Sequence, residues 1–133
     1  MNSVPRSLVI LAVAAVCGAC DSPTGGRQPV PGTLSLQLSG AVPGDEALML
    51  RVSGPAPIGQ ANAPEGYHLL QRADGNSLNV ALFGRLRDGA VLRFPVPDTA
   101  MVSQFSATVL EVADSTSALR EKVDVYRLSV RVE

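Results

Sequence analysis

The stretch Tyr67-His68-Leu69-Leu70-Gln71-Arg72-Ala73-Asp74-Gly75-Asn76-Ser77-Leu78-Asn79-Val80-Ala81-Leu82-Phe83 decides the fold. Asp74-Gly75 sits between two alternating runs. Asp-Gly is a strong short hairpin signal, because a type I′ turn needs positive φ at both central residues. With Asp74-Gly75 as a two-residue loop, Leu69 faces Val80, Tyr67 faces Leu82 and Gln71 faces Leu78. The other side then carries His68 with Ala81, Leu70 with Asn79, and Arg72 with Ser77. One face is apolar and the other mixed, which is the sorting a half-buried sheet requires.

The next turn does not sort in this way. Asp88-Gly89 as a two-residue loop would bring Arg93 to the core face and point Leu92 and Phe94 away from it. The pattern predicts instead a bulge at Gly84, or a crossing there to a second sheet, so that Leu92, Phe94 and Val96 reach the core. Pro95 and Pro97 cannot donate ladder hydrogen bonds, so this strand belongs at an edge. Alternation marks further strands at Thr33–Ser39 and Leu48–Ser53. Strand-like runs continue at Gln104–Ala113 and Val123–Val132. Gly54–Gly66 reads as a long loop, and Ala113–Lys122 as one helical turn at most. About seven strands with no sustained 3.6 period predict a single all-β domain over 33–133, an antiparallel β-sandwich, with a small barrel as the alternative. The strand count and spacing resemble the immunoglobulin-like and cohesin-like modules of bacterial surface proteins, without a Cys–Trp–Cys core signature.

Upstream of the domain, Asp21–Gly32 (DSPTGGRQPVPG) has the Pro/Gly composition of a linker. Before it comes a secretory layout: Met1–Ser7 with Arg6, then nine apolar residues, Leu8–Val16, then Cys17-Gly18-Ala19. A membrane-spanning helix needs about 20 apolar residues, so this run is too short for a permanent span. Gly18-Ala19-Cys20 resembles the cleavage box of bacterial lipoprotein precursors, with Cys17 where that family usually has an aliphatic residue. The resemblance implies a signal peptide over 1–19, cleavage between Ala19 and Cys20, and lipid such as palmitate on Cys20, followed by a tether over 20–32. Two or more acyl chains are needed for stable anchoring at about 0.8 kcal/mol per buried CH₂. Asp21 stands where some enterobacterial lipoproteins carry an inner-membrane retention signal.

After such a cut 114 residues remain, with 10 basic side chains against 12 acidic ones. No basic surplus points to nucleic acid. Both cysteines lie at the signal boundary, so the domain has no disulfide and no thiolate metal site. His68 is the only histidine, too few for a His/Cys zinc site. Asp45-Glu46, Asp74, Asp88 and Asp98 are placed by this reading at turns, where turn chemistry explains them. Calcium is the least excluded ion. Ser115, Thr116 and Ser117 lack a nucleophile elbow, and Met49 and Met101 read as core or rim packing. The expectation is a lipid-anchored cell-envelope protein with no catalytic residues, cofactor or metal. It would bind the membrane through Cys20 and an envelope protein or glycan through a loop or sheet face. The alternative is an envelope hydrolase or carbohydrate-active accessory built from distant carboxylates. A flat face exposing Leu70 and Phe83 favours the first reading, and a cleft with two convergent carboxylates the second.

Overall fold

The computed structural model describes residues 26–133. The expected signal peptide, the Ala19–Cys20 cut and the lipid site Cys20 lie outside the described residues. The elements in chain order are β1 (Gly32–Ser39), β2 (Asp45–Ser53), β3 (His68–Asp74), β4 (Ser77–Phe83), β5 (Gly89–Val96), a 3₁₀ turn η1 (Thr99–Gln104), β6 (Ser106–Asp114) and β7 (Arg127–Val132). They form a three-stranded sheet, β5-β1-β7, against a four-stranded sheet, β3-β4-β2-β6. All pairings are antiparallel. The fold is therefore a single seven-stranded β-sandwich. Its strand order is not that of immunoglobulin domains, in which the first strand pairs with the second; here β1 and β2 lie in opposite sheets.

Period-two alternation produces the core. Leu34, Leu36 and Leu38 of β1 and Leu48, Leu50 and Val52 of β2 point inward and are buried. Leu78, Val80 and Leu82 of β4 meet Leu92, Phe94 and Val96 of β5 across the same interior. The crossing expected at Gly84 is present. That glycine has φ 143°, and a Cβ there would lie 2.4 Å from the Gly66 carbonyl oxygen, so no other residue fits without backbone movement. β5 is an edge strand, as Pro95 within it requires.

The hairpin register is offset by two residues from the expected one. Leu69 pairs with Leu82, Leu70 with Ala81, Gln71 with Val80 and Asp74 with Ser77. The loop is Gly75-Asn76, and Gly75 alone of the pair has positive φ, 60°. That sign pattern belongs to a type II′ turn, with glycine in its first central place. A shift of two preserves parity, so the inward and outward sets are those the sequence predicts.

Three connections differ more. The loop 54–66 is part of the core: Ile58 and Ala61 are buried. Asn62 exchanges backbone bonds with Arg93, and Gly59 donates to Pro95, so the loop covers the edge of β5. Gln71 clamps it from β3 through both Ala61 backbone groups. Ala113–Lys122 contains no helix. Ser117 takes φ 66° and Leu119 bridges back to Ala113, so β7 begins only at Arg127. The helical turn falls instead at Thr99–Gln104, with the Asp98 side chain accepting from the Ala100 N–H as its cap.

Part of the expected linker is held against the domain. Val30 donates to Asp98 Oδ1 at 3.2 Å and accepts from the Thr99 N–H at 2.8 Å. The Arg27 guanidinium is ion-paired with Asp98. Burial opposes the Asp98 charge, but the Val30 N–H, Arg27 and the Ala100 N–H together hold its carboxyl below the usual carboxylate range. The chain is therefore fixed at the η1 end of the sandwich from Arg27 onward.

Candidate functional site

Two arrangements stand out, one closed and one open. The closed one is centred on Asp45. Alternation along β2 would place Asp45 outside with Ala47 and Met49, but the register against β6 shifts between Asp45 and Ala47. The extra residue, Glu46, turns Asp45 inward, where it is fully buried. This corrects the expectation of a solvated turn acid.

Asp45 Oδ1 accepts from Arg120 Nε at 2.7 Å, and Nη2 of the same guanidinium lies 2.7 Å from it in the ion pair. Its Oδ2 accepts from the Tyr126 hydroxyl and the Val42 N–H. The Asp45 carbonyl accepts from the Leu86 N–H. The carboxylate is thus engaged on both oxygens. One group binds β2 to the β6–β7 connection and to the residue before β7, on the opposite sheet. Arg120 is held above its ordinary value, chiefly by the hydrogen bond to Asp45. Burial, then the bond to Asp45 and its charge, push the Tyr126 phenol up to about 12.

That shift has a sign that can be checked. A tyrosine whose folded pKa exceeds its unfolded value of about 10 stabilises the fold fully below pH 10. The contribution is lost as pH rises from about 10 to about 12. Urea midpoints measured across that window should fall for the natural chain and fall less for Tyr126→Phe. Parallel declines would show that another group is responsible.

Of the other acids, Glu46 and Asp114 line one open pocket with His68, and the rest lie apart. Asp74 flanks the hairpin loop, and Asp88 accepts from the Ala41 N–H at 2.9 Å. Asp114 closes its own turn: the Thr116 hydroxyl, the Thr116 N–H and the Ala118 N–H hold it below the usual carboxylate range. Among the described residues no three His, Cys, Asp or Glu side chains group as metal ligands. Met101 packs against the core, whereas Met49 is exposed.

The open arrangement is the outer face of the four-stranded sheet. In the order β3, β4, β2, β6 the register aligns His68, Phe83, Ala47 and Ala113 in one row. Leu70, Ala81, Met49 and Glu111 form the next, and Arg72, Asn79, Arg51 and Thr108 the third. Leu70 is 66% exposed, and Met49 and Phe83 nearly half exposed. A second bulge between the Met49 and Leu50 positions brings Leu110 onto this face beside Glu111. Leu119, also exposed, lies against the first row beside Ala113. The result is an apolar band across the sheet, interrupted on β6 by Glu111 and bounded on one side by Arg51 and Arg72. Arg51 is held in place by its bond to Asn79 Oδ1, at 2.8 Å. His68 lies at the end of this band, where it lines an open pocket with Glu46, Phe83, Asp114, Ser115 and Ser117. The parity of β3 and β4 makes Leu70 and Phe83 readable from the sequence; Leu110 and Leu119 are not, because a bulge and a non-local bridge place them.

The chain matches no family model, no curated protein and no solved structure.

Proposed function

We propose that this chain is a lipid-anchored cell-envelope protein whose sandwich is a non-enzymatic binding module. Its partner is a protein segment that lays an apolar strip, flanked by carboxylates, across the outer face of β3-β4-β2-β6. The observation that carries the reading is the band of Leu70, Met49, Phe83, Leu110 and Ala81 edged by Arg51 and Arg72. An exposed contiguous apolar band marks an interaction surface. Strands lie about 4.8 Å apart, so the band is roughly 15 Å across. It is too small alone for the ~800 Å² per partner of a standard protein pair, and its width suits one helix or short segment. The two arginines select acidic flanks. The non-enzymatic part is supported by the engagement of Asp45 on both oxygens and of Asp114 in its own turn, which among the described residues leaves Glu46 as the one free carboxylate lining the pocket beside His68. The anchor rests on Leu8–Val16 and Gly18-Ala19-Cys20.

A photoreactive residue at position 70 of the full chain, expressed in envelopes, should cross-link an acidic amphipathic segment. Arg51→Glu with Arg72→Glu should reduce that product at least about tenfold, the loss of roughly one charge-assisted contact. Equal cross-linking from position 129, on the other sheet, would count against the face. Fatty-acid labelling that persists in Cys20→Ser would refute the anchor. Turnover of a glycan or ester, abolished by changing one carboxylate, would refute the non-enzymatic assignment.

A further inference from the structure

The sandwich has four edge positions, and three of them are protected. β5 carries Pro95 and is covered by Gly59 and Asn62. β6 is bulged, and its C-terminal end is bonded by the 118–120 segment. β7 presents Arg127 and Arg131 on one exposed face. Paired with a second β7 about Ser129, it would set each Arg127 against an Arg131, and like charges directly opposite are destabilising. These are the usual devices against edge-to-edge association.

Among the described residues, β3 has no proline, bulge or backbone-bonded cover, and its exposed charges, Arg72 and Asp74, are of opposite sign. It contains seven residues. Its free backbone groups can be identified. Gly54 donates to Asn76 and Gly84 to Glu46, so even-numbered residues of β4 bond β2 and odd-numbered ones bond β3. By the antiparallel alternation, His68, Leu70, Arg72 and Asp74 bond β4. Leu69, Gln71 and Ala73 therefore present their N–H and C=O groups away from the sheet. Among the described residues nothing bonds these six groups; the Gln71 clamp on the loop uses only its side chain.

We propose that β3 pairs antiparallel with β3 of a second copy about a two-fold axis at Gln71, joining two four-stranded sheets into one of eight. This register engages all seven residues. It pairs Leu69 and Gln71 with Ala73 and Gln71 of the second copy and satisfies all six free groups. On the outer face it sets His68 opposite Asp74 of the second copy, twice, and Leu70 against the aliphatic stem of Arg72. Sliding by two residues in one direction sets Arg72 against Arg72, and in the other sets His68 against Arg72. Only the central register sets an acceptor, the Asp74 carboxylate, opposite each His68 imidazole N–H. The two-fold makes the contact self-limiting, since each copy uses its one unprotected edge. The pairing goes beyond docking on the outer face and does not depend on it.

The test is sedimentation of the purified full chain in mild detergent, up to about 1 mM, the effective concentration that short tethers create. A monomer–dimer equilibrium is expected. Ala73→Pro deletes two of the six bonds per dimer through an N–H that points away from β4, so the fold should be kept and dimerisation weakened at least about tenfold. His68→Asp, an exposed change that sets acid against acid, should also weaken it. Adding Asp74→His to His68→Asp should restore it by exchanging the pair. A chain monomeric at every concentration would overturn the proposal. So would a dimer that Ala73→Pro and His68→Asp leave intact but Met49→Glu disrupts, because that dimer would use the outer face. If Ala73→Pro lowers the melting temperature, the charge exchange alone decides.

Discussion

Asp45→Ala is expected to destabilise the domain by about 3–5 kcal/mol, the range for removing one partner of a buried ion pair. The substitution does more than delete an attraction. It leaves the Tyr126 hydroxyl without an acceptor in a residue only 6% exposed, and the Val42 N–H without its bond. The unsatisfied buried hydroxyl costs about 1–3 kcal/mol, while Val42 is exposed and water can replace the lost bond to its N–H. Arg120 softens the loss, because its side chain is about one-third exposed and water can solvate it. Asp45→Asn retains shape and an acceptor oxygen and should lose less. Urea denaturation of the full chain provides the measurement. A loss below about 1 kcal/mol for Asp45→Ala would mean that the carboxylate does not hold the two sheets together at this end.

Phe94→Ala should be comparable, at about 3–5 kcal/mol, for a different reason. Phe94 is fully buried between the sheets, and its ring lies 6.1 Å from that of Phe105 at an interplanar angle of 50°. Truncation removes the transfer energy of the ring, opens a cavity between strands that cannot collapse independently, and breaks the aromatic contact. Phe105 cannot swing freely into the space on its other side: its ring already occupies the place of a Cβ at Gly54, within 2.3 Å. In a domain of ordinary stability, about 5–15 kcal/mol, either substitution removes a large fraction. Met49→Ala, on the exposed outer face, should fall within about 0.5 kcal/mol of the natural chain. If Met49→Ala and Phe94→Ala lost equal amounts, the assignment of inner and outer faces would be wrong.

The sequence by itself determined which side of each early strand faces inward. Alternation in Leu34–Leu38, Leu48–Val52 and Leu78–Leu82 is a local property with a period of two, and it survives a hairpin register misread by two residues. It also determined that Pro95 lies on an edge strand and that the ladder is interrupted at Gly84, because a missing N–H and a positive φ are properties of single residues; that the interruption is a change of sheet and not a bulge was decided by the fold. Strand partners were settled only in three dimensions. β1 chooses β5 and β7, and β2 chooses β4 and β6, through contacts between residues far apart in the chain that no local pattern encodes. The turn type was also decided there: Asp-Gly suggests a type I′ loop, but the ladder closes one residue later, on Gly75-Asn76. Asp45 is the clearest case. Read locally it is a turn acid, because a carboxylate is ordinarily left in water. Its burial becomes tolerable only when a bulge at Glu46 turns it inward and the fold delivers Arg120 and Tyr126, 75 and 81 residues away, to its two oxygens. The 54–66 loop and the Arg27–Asp98 contact follow the same logic. Their residues look like punctuation and linker until the edge of β5 and the cap of η1 supply hydrogen-bond partners.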